Sequence, residues 1–362
     1  MRILHVITSL RTGGAEKLVT QLLPYFHANG LETDIAVFDG TPTPFSTILE
    51  NAGIRIIRLG HGIGTSNIYN PLHIRHLIKL IRNYDIIHTH NTSCQLFTAI
   101  AVSLMRRRPI LVTTEHSTNN RRRLLKWWKH IDHWMYNHYD AVICCSHIVK
   151  TSLLKVNKTA SITDTPIINN GVNINIQHHG KAHFITEQSS ILMVAGFRPP
   201  KDHITAVKAM LLLPEDVHLY FAGEGTTMQS VKDFVDSNNL NDRVHFLGNV
   251  TNIPQLYSSV SCAILSTYYE GMPLSIIEAM AAGAPVIASD VPGVTELVQG
   301  AGILVPPADD KALAEAISHL LDNPEQRERL ISAGLEHASH YNIENTAKEY
   351  ITLYNNLISK HR

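Results

Sequence analysis

Glu270 and Glu278, with Gly-Met-Pro-Leu-Ser-Ile-Ile between them, are the residues whose types and spacing most readily do chemistry in this chain. Glu278 is the one charge in the apolar run from Pro273 to Ala288. An ionised carboxylate taken out of water is costly unless hydrogen bonds or a counter-charge meet it. Hydroxyls of a sugar or a ribose fit that need. Gly271 lets backbone and ligand approach closely, and Pro273 suits the first turn of a helix, where its missing N–H costs nothing. Amides of Met272, Leu274 and Ser275 would then point out of the helix N-terminus as an anion site. With Glu270 in the loop and Glu278 on the second turn, the two carboxylates could meet opposite ends of a phosphate-containing ligand. The competing reading is one Glu on the exposed side of an otherwise buried helix.

Three other loops could take part. Thr12-Gly13-Gly14-Ala15 follows a strand-like run, and its two glycines would let backbone amides approach a phosphate or an acceptor; a tight strand-to-helix turn explains it equally well. Arg198-Pro199-Pro200-Lys201 puts two cations on a Pro-stiffened loop, Arg through its planar fork and Lys as a point charge, which suits a diphosphate. His116, in Thr-Glu-His-Ser, and His88-Thr89-His90 both end strand-like runs. Among 22 histidines chance clusters are common, and no carboxylate completes a ligand set at recognisable spacing, so no metal is expected. Neither glycine loop is a GxGxxG fingerprint, and no GxxxxGK[ST] segment exists, so no nicotinamide cofactor is implied.

The elements that must position these loops alternate from end to end, strand then helix, as parallel sheets covered by helices do. Expected strands in the first half are 3–8, 33–38, 54–58, 86–89, 110–114, 141–145 and 167–168, with helices at 15–28, 72–82 and 124–138. In the second half strands fit 190–196, 217–222, 244–247, 262–266, 286–289 and 303–305. At 362 residues two domains are expected, parted in the polar, aperiodic stretch near 177: residues 1–177 with about 345–362, and residues 178–344. The last helix is long enough to leave the second domain and pack on the first. Two such α/β sheets would place a ligand crevice at the carboxyl ends of their strands. The zero net charge conceals an asymmetry, since residues 1–180 carry 19 Lys+Arg against 10 Asp+Glu and the rest carry 12 against 21. The halves therefore meet different partners.

With these residues on the page, the chain resembles, over its whole length, glycosyltransferase family 4, the retaining GT-B nucleotide-sugar transferases. The most specific element is Glu270-Gly-Met-Pro-Leu-Ser-Ile-Ile-Glu278 followed by Ala-Met-Ala-Ala-Gly283-Ala-Pro285, then Pro292-Gly293-Val-Thr-Glu296; Asn170-Gly171-Val172, Gly223-Glu224-Gly225 and Leu247-Gly248 add to it. The resemblance implies two Rossmann-like domains facing across a crevice and transfer of a sugar from a nucleoside diphosphate, UDP favoured and GDP-mannose second, to a saccharide or lipid-linked saccharide. It implies retention without a metal or cofactor. Glu278 would accept from ribose hydroxyls, and Glu270 with the 272–275 amides would hold the sugar and distal phosphate. Lys201 would neutralise the diphosphate, Gly13 and Gly14 would border phosphate and acceptor, His116 would contact the sugar, and Asn249 and Val250 would flank the base. The family commonly has an arginine five residues before this lysine; here Gly196 stands there, and Arg198 is the candidate replacement. Rival readings are a nucleotide-sugar epimerase and a non-catalytic sugar-binding protein.

Arg106, Arg107 and Arg108, and Arg121, Arg122, Arg123, Lys126, Trp127 and Trp128, concentrate cations beside indoles in the positive half. That composition suits an anionic acceptor or an anionic membrane surface, and no nucleic-acid motif accompanies it. No apolar run approaches the roughly 18 residues of a membrane span, and the start of the chain reads as a strand rather than a signal peptide. Four cysteines form no disulfide framework. A cytoplasmic protein, peripheral at the inner face of the membrane, is expected.

Overall fold

The computed structural model describes residues 1–62, 64–118, 127–157, 165–174, 185 and 189–361. The chain forms two compact units, Met1–Gly171 with Ile343–Arg362, and Val172–Asn342.

In the first unit, strands β1 (Arg2–Ile7), β2 (Glu32–Val37), β3 (Arg55–Arg58), β4 (Ile86–His90), β5 (Ile110–Glu115) and β6 (Ala141–Cys144) form one parallel sheet in the order β3-β2-β1-β4-β5-β6. β4 and β5 are buried along their whole length, as strands covered by helices on both faces must be. Helices α1 (Gly14–Ala28), α2 (Pro44–Asn51), α3 (Thr65–Ile68), α4 (Leu72–Leu80), α5 (Thr92–Ser103), α6 (Trp128–Tyr136) and α7 (His147–Val156) connect them. The start of the expected 124–138 helix lies outside the described residues. The expected strand at 167–168 is a single bridge, Cys144 to Ile167.

The second unit repeats this plan. Strands β7 (Ser189–Val194), β8 (Val217–Ala222), β9 (Val244–Gly248), β10 (Cys262–Leu265), β11 (Val286–Ser289) and β12 (Ile303–Val305) are parallel in the order β12-β11-β10-β7-β8-β9. Between and after them run α8 (His203–Met210), α9 (Met228–Ser237), α10 (Ile253–Tyr257), α11 (Leu274–Ala281), α12 (Thr295–Val298), α13 (Asp310–Asp322) and α14 (Pro324–Ser339). In each sheet the order reverses beside the unit's first strand, between β1 and β4 and between β7 and β10, the switch points where open α/β sheets bind ligands.

The last helix, α15 (Ile343–His361), belongs to the first unit. Ile343, Thr346, Ala347, Tyr350, Tyr354 and Leu357 recur at helical spacing and are buried, and Tyr350 and Tyr354 meet Phe26 of α1 edge-on at 6.3 and 5.8 Å. Gly171 lies so close that an added Cβ would stand 2.7 Å from Ile343 Cα. The units part between Gly171 and Val172, and the expected boundary near 177 lies outside the described residues. Val172, the next residue, donates its N–H to Tyr341 O at 2.8 Å.

Candidate functional site

At the carboxyl ends of the second sheet, loops from non-adjacent stretches lock together. After β7, the segment to Lys201 includes a cis Pro199-Pro200 bond, and Lys201 bridges Thr267 after β10. Tyr268 N–H donates to Pro200 O at 3.1 Å and Asp202 N–H to Ser266 O at 3.0 Å. This pairing brings the Lys201 ammonium into an ion pair with the Glu270 carboxylate, which also accepts from Thr267 Oγ1 at 2.9 Å. Both side chains are mostly buried, 17% and 13% exposed, so their attraction is screened less than on a surface. Asp202 caps α8 through Thr205 N–H at 3.1 Å, and His203, pushed down to about 4 by burial, stacks on Phe197 at 3.9 Å between centroids.

Two glycine loops brace this arrangement from the sides. Gly223 and Gly225, at φ +144° and +158°, lie against the carbonyls of Ala195 and Phe197, where any Cβ would overlap. Gly293, at φ +85°, does the same against Glu270 O, and Glu270 N–H donates to Pro292 O at 3.2 Å. Only glycine permits both the positive φ and the close approach. Arg198 is exposed, and its Nε lies 3.6 Å from where a Gly196 Cβ would be, so its side chain runs over the position that the family arginine would occupy. Asn249 Nδ2 donates to Glu224 Oε2 at 2.8 Å, tying the loop after β9 to the Gly223-Glu224-Gly225 turn; Val250 follows it.

Pro273 is the N-cap of α11 rather than a residue of its first turn, with extended ψ of 110°, and the helix opens at Leu274. Its carbonyl accepts from Ile276 N–H at 3.2 Å, which sets the start. Glu278 lies on the second turn, only 7% exposed. The Tyr257 phenol is held well above its usual pKa by burial and by the charge of Glu278. Gly271, Met272, Leu274 and Ser275 complete the turn between the glutamates.

In the first unit, polar side chains occupy the centre of the sheet. His5 on β1 and His88 and His90 on β4 are buried at the switch point, and His116 follows β5. His5 Nδ1 faces His90 Nε2 at 3.1 Å, and His90 Nδ1 faces His116 Nε2 at 3.1 Å. His88 is held by Tyr354 OH at 2.6 Å and Thr114 Oγ1 at 2.8 Å, so α15 reaches the same cluster. Burial lowers His5 to about 3 and His116 to about 4. Burial, then the neighbouring rings, keeps His88 and His90 well below the ordinary imidazole value. All four are neutral at neutral pH. Ring nitrogens of His5, His88 and His90 lie within 4.8 Å of one another, spacing that a cation could use. Beside them, Glu115 accepts from Tyr136 OH at 2.7 Å and from Gln95 Nε2 at 2.5 Å.

Gly13 caps α1 in extended conformation, and a Cβ on Gly14 would meet nothing within 4 Å among the described residues. Packing does not demand a glycine at 14, which leaves room for a ligand. Asn91, the N-cap of α5, takes a positive φ of 70° and donates to Glu16 Oε1 at 3.3 Å. Left-handed backbone at a non-glycine residue is a strain often found at ligand sites.

The structure separates the arginines from this end. Arg106, Arg107 and Arg108 precede β5 whereas His116 follows it, so they stand at the amino ends of the strands. They line a cavity of about 790 Å³ with Arg82, Leu104 and His361. Arg108 is engaged, bidentate with Asp140 at 2.7 Å for each bond; burial pushes the Asp140 carboxyl up, but these bonds hold it below its usual range. Trp127 is 58% exposed and stacks on Trp128 at 5.2 Å. Arg121, Arg122, Arg123 and Lys126 lie outside the described residues. No described helix is long and apolar enough to cross a membrane.

The sequence reading missed His5 and the two tyrosines of α15. One signal was available for His5, a lone polar residue inside the apolar strand Ile3-Leu4-His5-Val6-Ile7.

Residues 12–176 match the family model "Glycosyltransferase Family 4" and residues 175–337 match "Glycosyl transferases group 1". A lipopolysaccharide core biosynthesis mannosyltransferase, LpsB of Rhizobium meliloti, is 34% identical over 149 residues, 39% of this chain and 40% of that protein. Bacillus subtilis EpsD is 25% identical over 357 residues, 92% of each. The first curated relatives are matched over only 34%, 40% and 46% of their own lengths. Among solved structures, Anabaena HepE in complex with UDP and glucose superposes with a TM-score of 0.85 at 20% identity, covering 98% of this chain and 100% of HepE.

Proposed function

Because this chain belongs to the family 4, group 1 glycosyltransferases, we propose that it moves a sugar from a nucleoside diphosphate to a saccharide or lipid-linked saccharide in polysaccharide or glycolipid synthesis. A UDP-sugar is favoured over GDP-mannose; HepE is described with UDP and glucose, whereas LpsB is described as a mannosyltransferase. One observation carries the reading: the Lys201–Glu270 pair sits at the β7/β10 switch point with Glu278 one helical segment away.

In this reading Glu278 accepts hydrogen bonds from the ribose, and Lys201 and Arg198 face the diphosphate. The acceptor oxygen bonds to the anomeric carbon on the face from which the carbon–phosphate-oxygen bond breaks, and the acceptor's hydroxyl proton passes to the departing diphosphate. Charge grows on that phosphate as the bond breaks, so fixed cations and helix amides favour the transition state over the ground state. Neither glutamate needs to act as a nucleophile. On the first unit, His116 would meet a sugar hydroxyl. Catalysis on the cytoplasmic side, with the protein peripheral at the inner membrane face, fits a lipid-linked acceptor.

The test is product analysis with UDP- and GDP-sugars, with and without a saccharide or undecaprenyl-diphosphate-linked acceptor. An acceptor-dependent glycoside with the donor's anomeric configuration is expected. Release of an epimerised sugar without acceptor, or binding without turnover, would replace transfer by one of its rivals.

A further inference from the structure

Residues 51–114 carry eight Lys or Arg and a single carboxylate, Asp85. The fold gathers most of that charge on one flank of the first unit, along α4 and the end of α5, which pack on each other. His73 and Leu77 of α4 are buried. On the next face, Ile74 and Ile78 meet Ile100 and Leu104 across a groove of about 470 Å³. Arg75, Lys79 and Arg82 stand along the same groove at i, i+4 and i+7, exposed, so like charges one turn apart repel one another. Arg82 and Leu104 also line the cavity of about 790 Å³ that holds Arg106 and Arg107, so groove and cavity adjoin. Arg108 is engaged by Asp140, and Asp85, the carboxylate lining the cavity, accepts from Arg2 N–H at 2.8 Å. None of the other five cations forms an ion pair among the described residues. Leu104, at 67%, is the most exposed large apolar side chain among the described residues.

An apolar groove that opens on uncompensated cations matches one chemistry, a hydrocarbon chain that ends in a phosphate. Lys and Arg can lay their stems along apolar surface while their heads reach a headgroup. We propose that this flank docks on a bilayer containing anionic phospholipid, with an acyl chain against Ile74, Ile78, Ile100 and Leu104 and its phosphate on Arg82, Arg106 and Arg107. The lipid offsets the repulsion along α4, and each cation near the surface adds affinity that salt weakens. Composition alone pointed to Arg106, Arg107 and Arg108; the structure removes Arg108 and brings in α4 and its groove. This lipid is an anchor and not the acceptor, because the arginine cavity lies at the amino ends of the strands whereas Gly13, Gly14 and His116 follow their carboxyl ends. The proposal does not rest on glycosyl transfer.

The experiment is co-sedimentation of the full-length protein at low salt with vesicles of phosphatidylcholine, alone or mixed with phosphatidylglycerol. Binding to the mixed vesicles only is expected. Arg75→Gln, Lys79→Gln and Arg82→Gln together should weaken it about a hundredfold, at about fivefold for each cation. All three residues are exposed, so the melting temperature should hold. Leu104→Trp puts an indole at the groove, and phosphatidylglycerol brominated on its acyl chains should quench its fluorescence beyond any quenching of the wild type. A triple variant that sediments as the wild type does, or an indole at 104 that brominated chains leave unquenched, would overturn the proposal. So would inorganic phosphate that binds by calorimetry while vesicles do not, which would make the cavity a small-anion site. A dimer in analytical ultracentrifugation that Leu104→Asp dissociates would give the face to a second copy of the chain instead. No readout uses turnover, so failure here is distinct from failure of the proposed function.

Discussion

Replacing Lys201 with alanine tests the proposed chemistry and the fold in one variant, because the two effects have different sizes and different readouts. In the folded protein the change removes the ammonium paired with Glu270, a carboxylate 13% exposed that also accepts from the Thr267 hydroxyl at 2.9 Å. Breaking a fully buried pair costs about 3–5 kcal/mol, but both groups keep some solvent, so a loss of about 2 kcal/mol is expected. For a unit of this size that corresponds to a melting temperature lower by about 4–8 °C. The effect on turnover should be larger in free-energy terms. Removing one group that stabilises developing charge typically slows the chemical step about 10²–10³-fold, about 2.7–4 kcal/mol. Binding of UDP or GDP measured by calorimetry should weaken much less than kcat falls, since charge on the phosphate is greatest in the transition state. Arg198→Ala should show a smaller version of the same split, and the double variant should be the slowest. A Lys201→Ala protein that melts lower yet turns over at the wild-type rate would refute the reasoning, leaving the ion pair a purely structural clamp between the loops after β7 and β10.

Glu278→Ala should weaken nucleoside diphosphate binding at least tenfold by calorimetry with the fold intact, since hydrogen bonds to a charged acceptor contribute about 1.5–3 kcal/mol each. Gly14→Ala, whose Cβ meets nothing within 4 Å, should melt as the wild type does but lose affinity for donor or acceptor, whereas Gly293→Ala, at φ +85° against Glu270 O, should lose stability as well as activity. His5 and His116 are depressed by burial to about 3 and 4 in the folded chain, so between those values and about 6.5 the unfolded chain binds more protons. Stability is then complete above pH about 6.5 and falls as the pH drops towards 4; a urea midpoint that stays level from pH 7 to 4.5 would contradict this. Vesicles containing anionic lipid should co-sediment with the protein at low salt, at about 1 kcal/mol per engaged cation, and less so after Arg106 and Arg107, or Arg121, Arg122 and Arg123, become Ser. Wild-type protein that stays in the supernatant would discard the membrane reading and leave the transferase one untouched.

Most of the fold was legible because parallel strands buried on both faces read as apolar runs, and because glycine and proline mark the turns that follow them. The loops that could do chemistry were legible for the same reason, each following a strand. What stayed hidden depends on contacts between distant residues. His5 pairs with His90 across 85 residues, and Tyr354 reaches His88 across 266, so neither partner leaves a local pattern. Lys201 and Glu270 were each visible as charged loop residues, but their pairing across 69 residues was not, and it changes what the site must do. Read alone, Lys201 is a free cation awaiting a phosphate and Glu270 a free acceptor awaiting a hydroxyl. Paired, each meets the other, so a bare nucleoside diphosphate that draws Lys201 away costs a mostly buried carboxylate its ammonium partner. A complete donor sugar could bring both a phosphate for Lys201 and a hydroxyl for Glu270, and would avoid that cost. On the proposed transfer reading, an intact nucleotide sugar is therefore expected to bind more tightly than the nucleotide alone, and calorimetry that finds the nucleotide binding as tightly would refute this use of the pair.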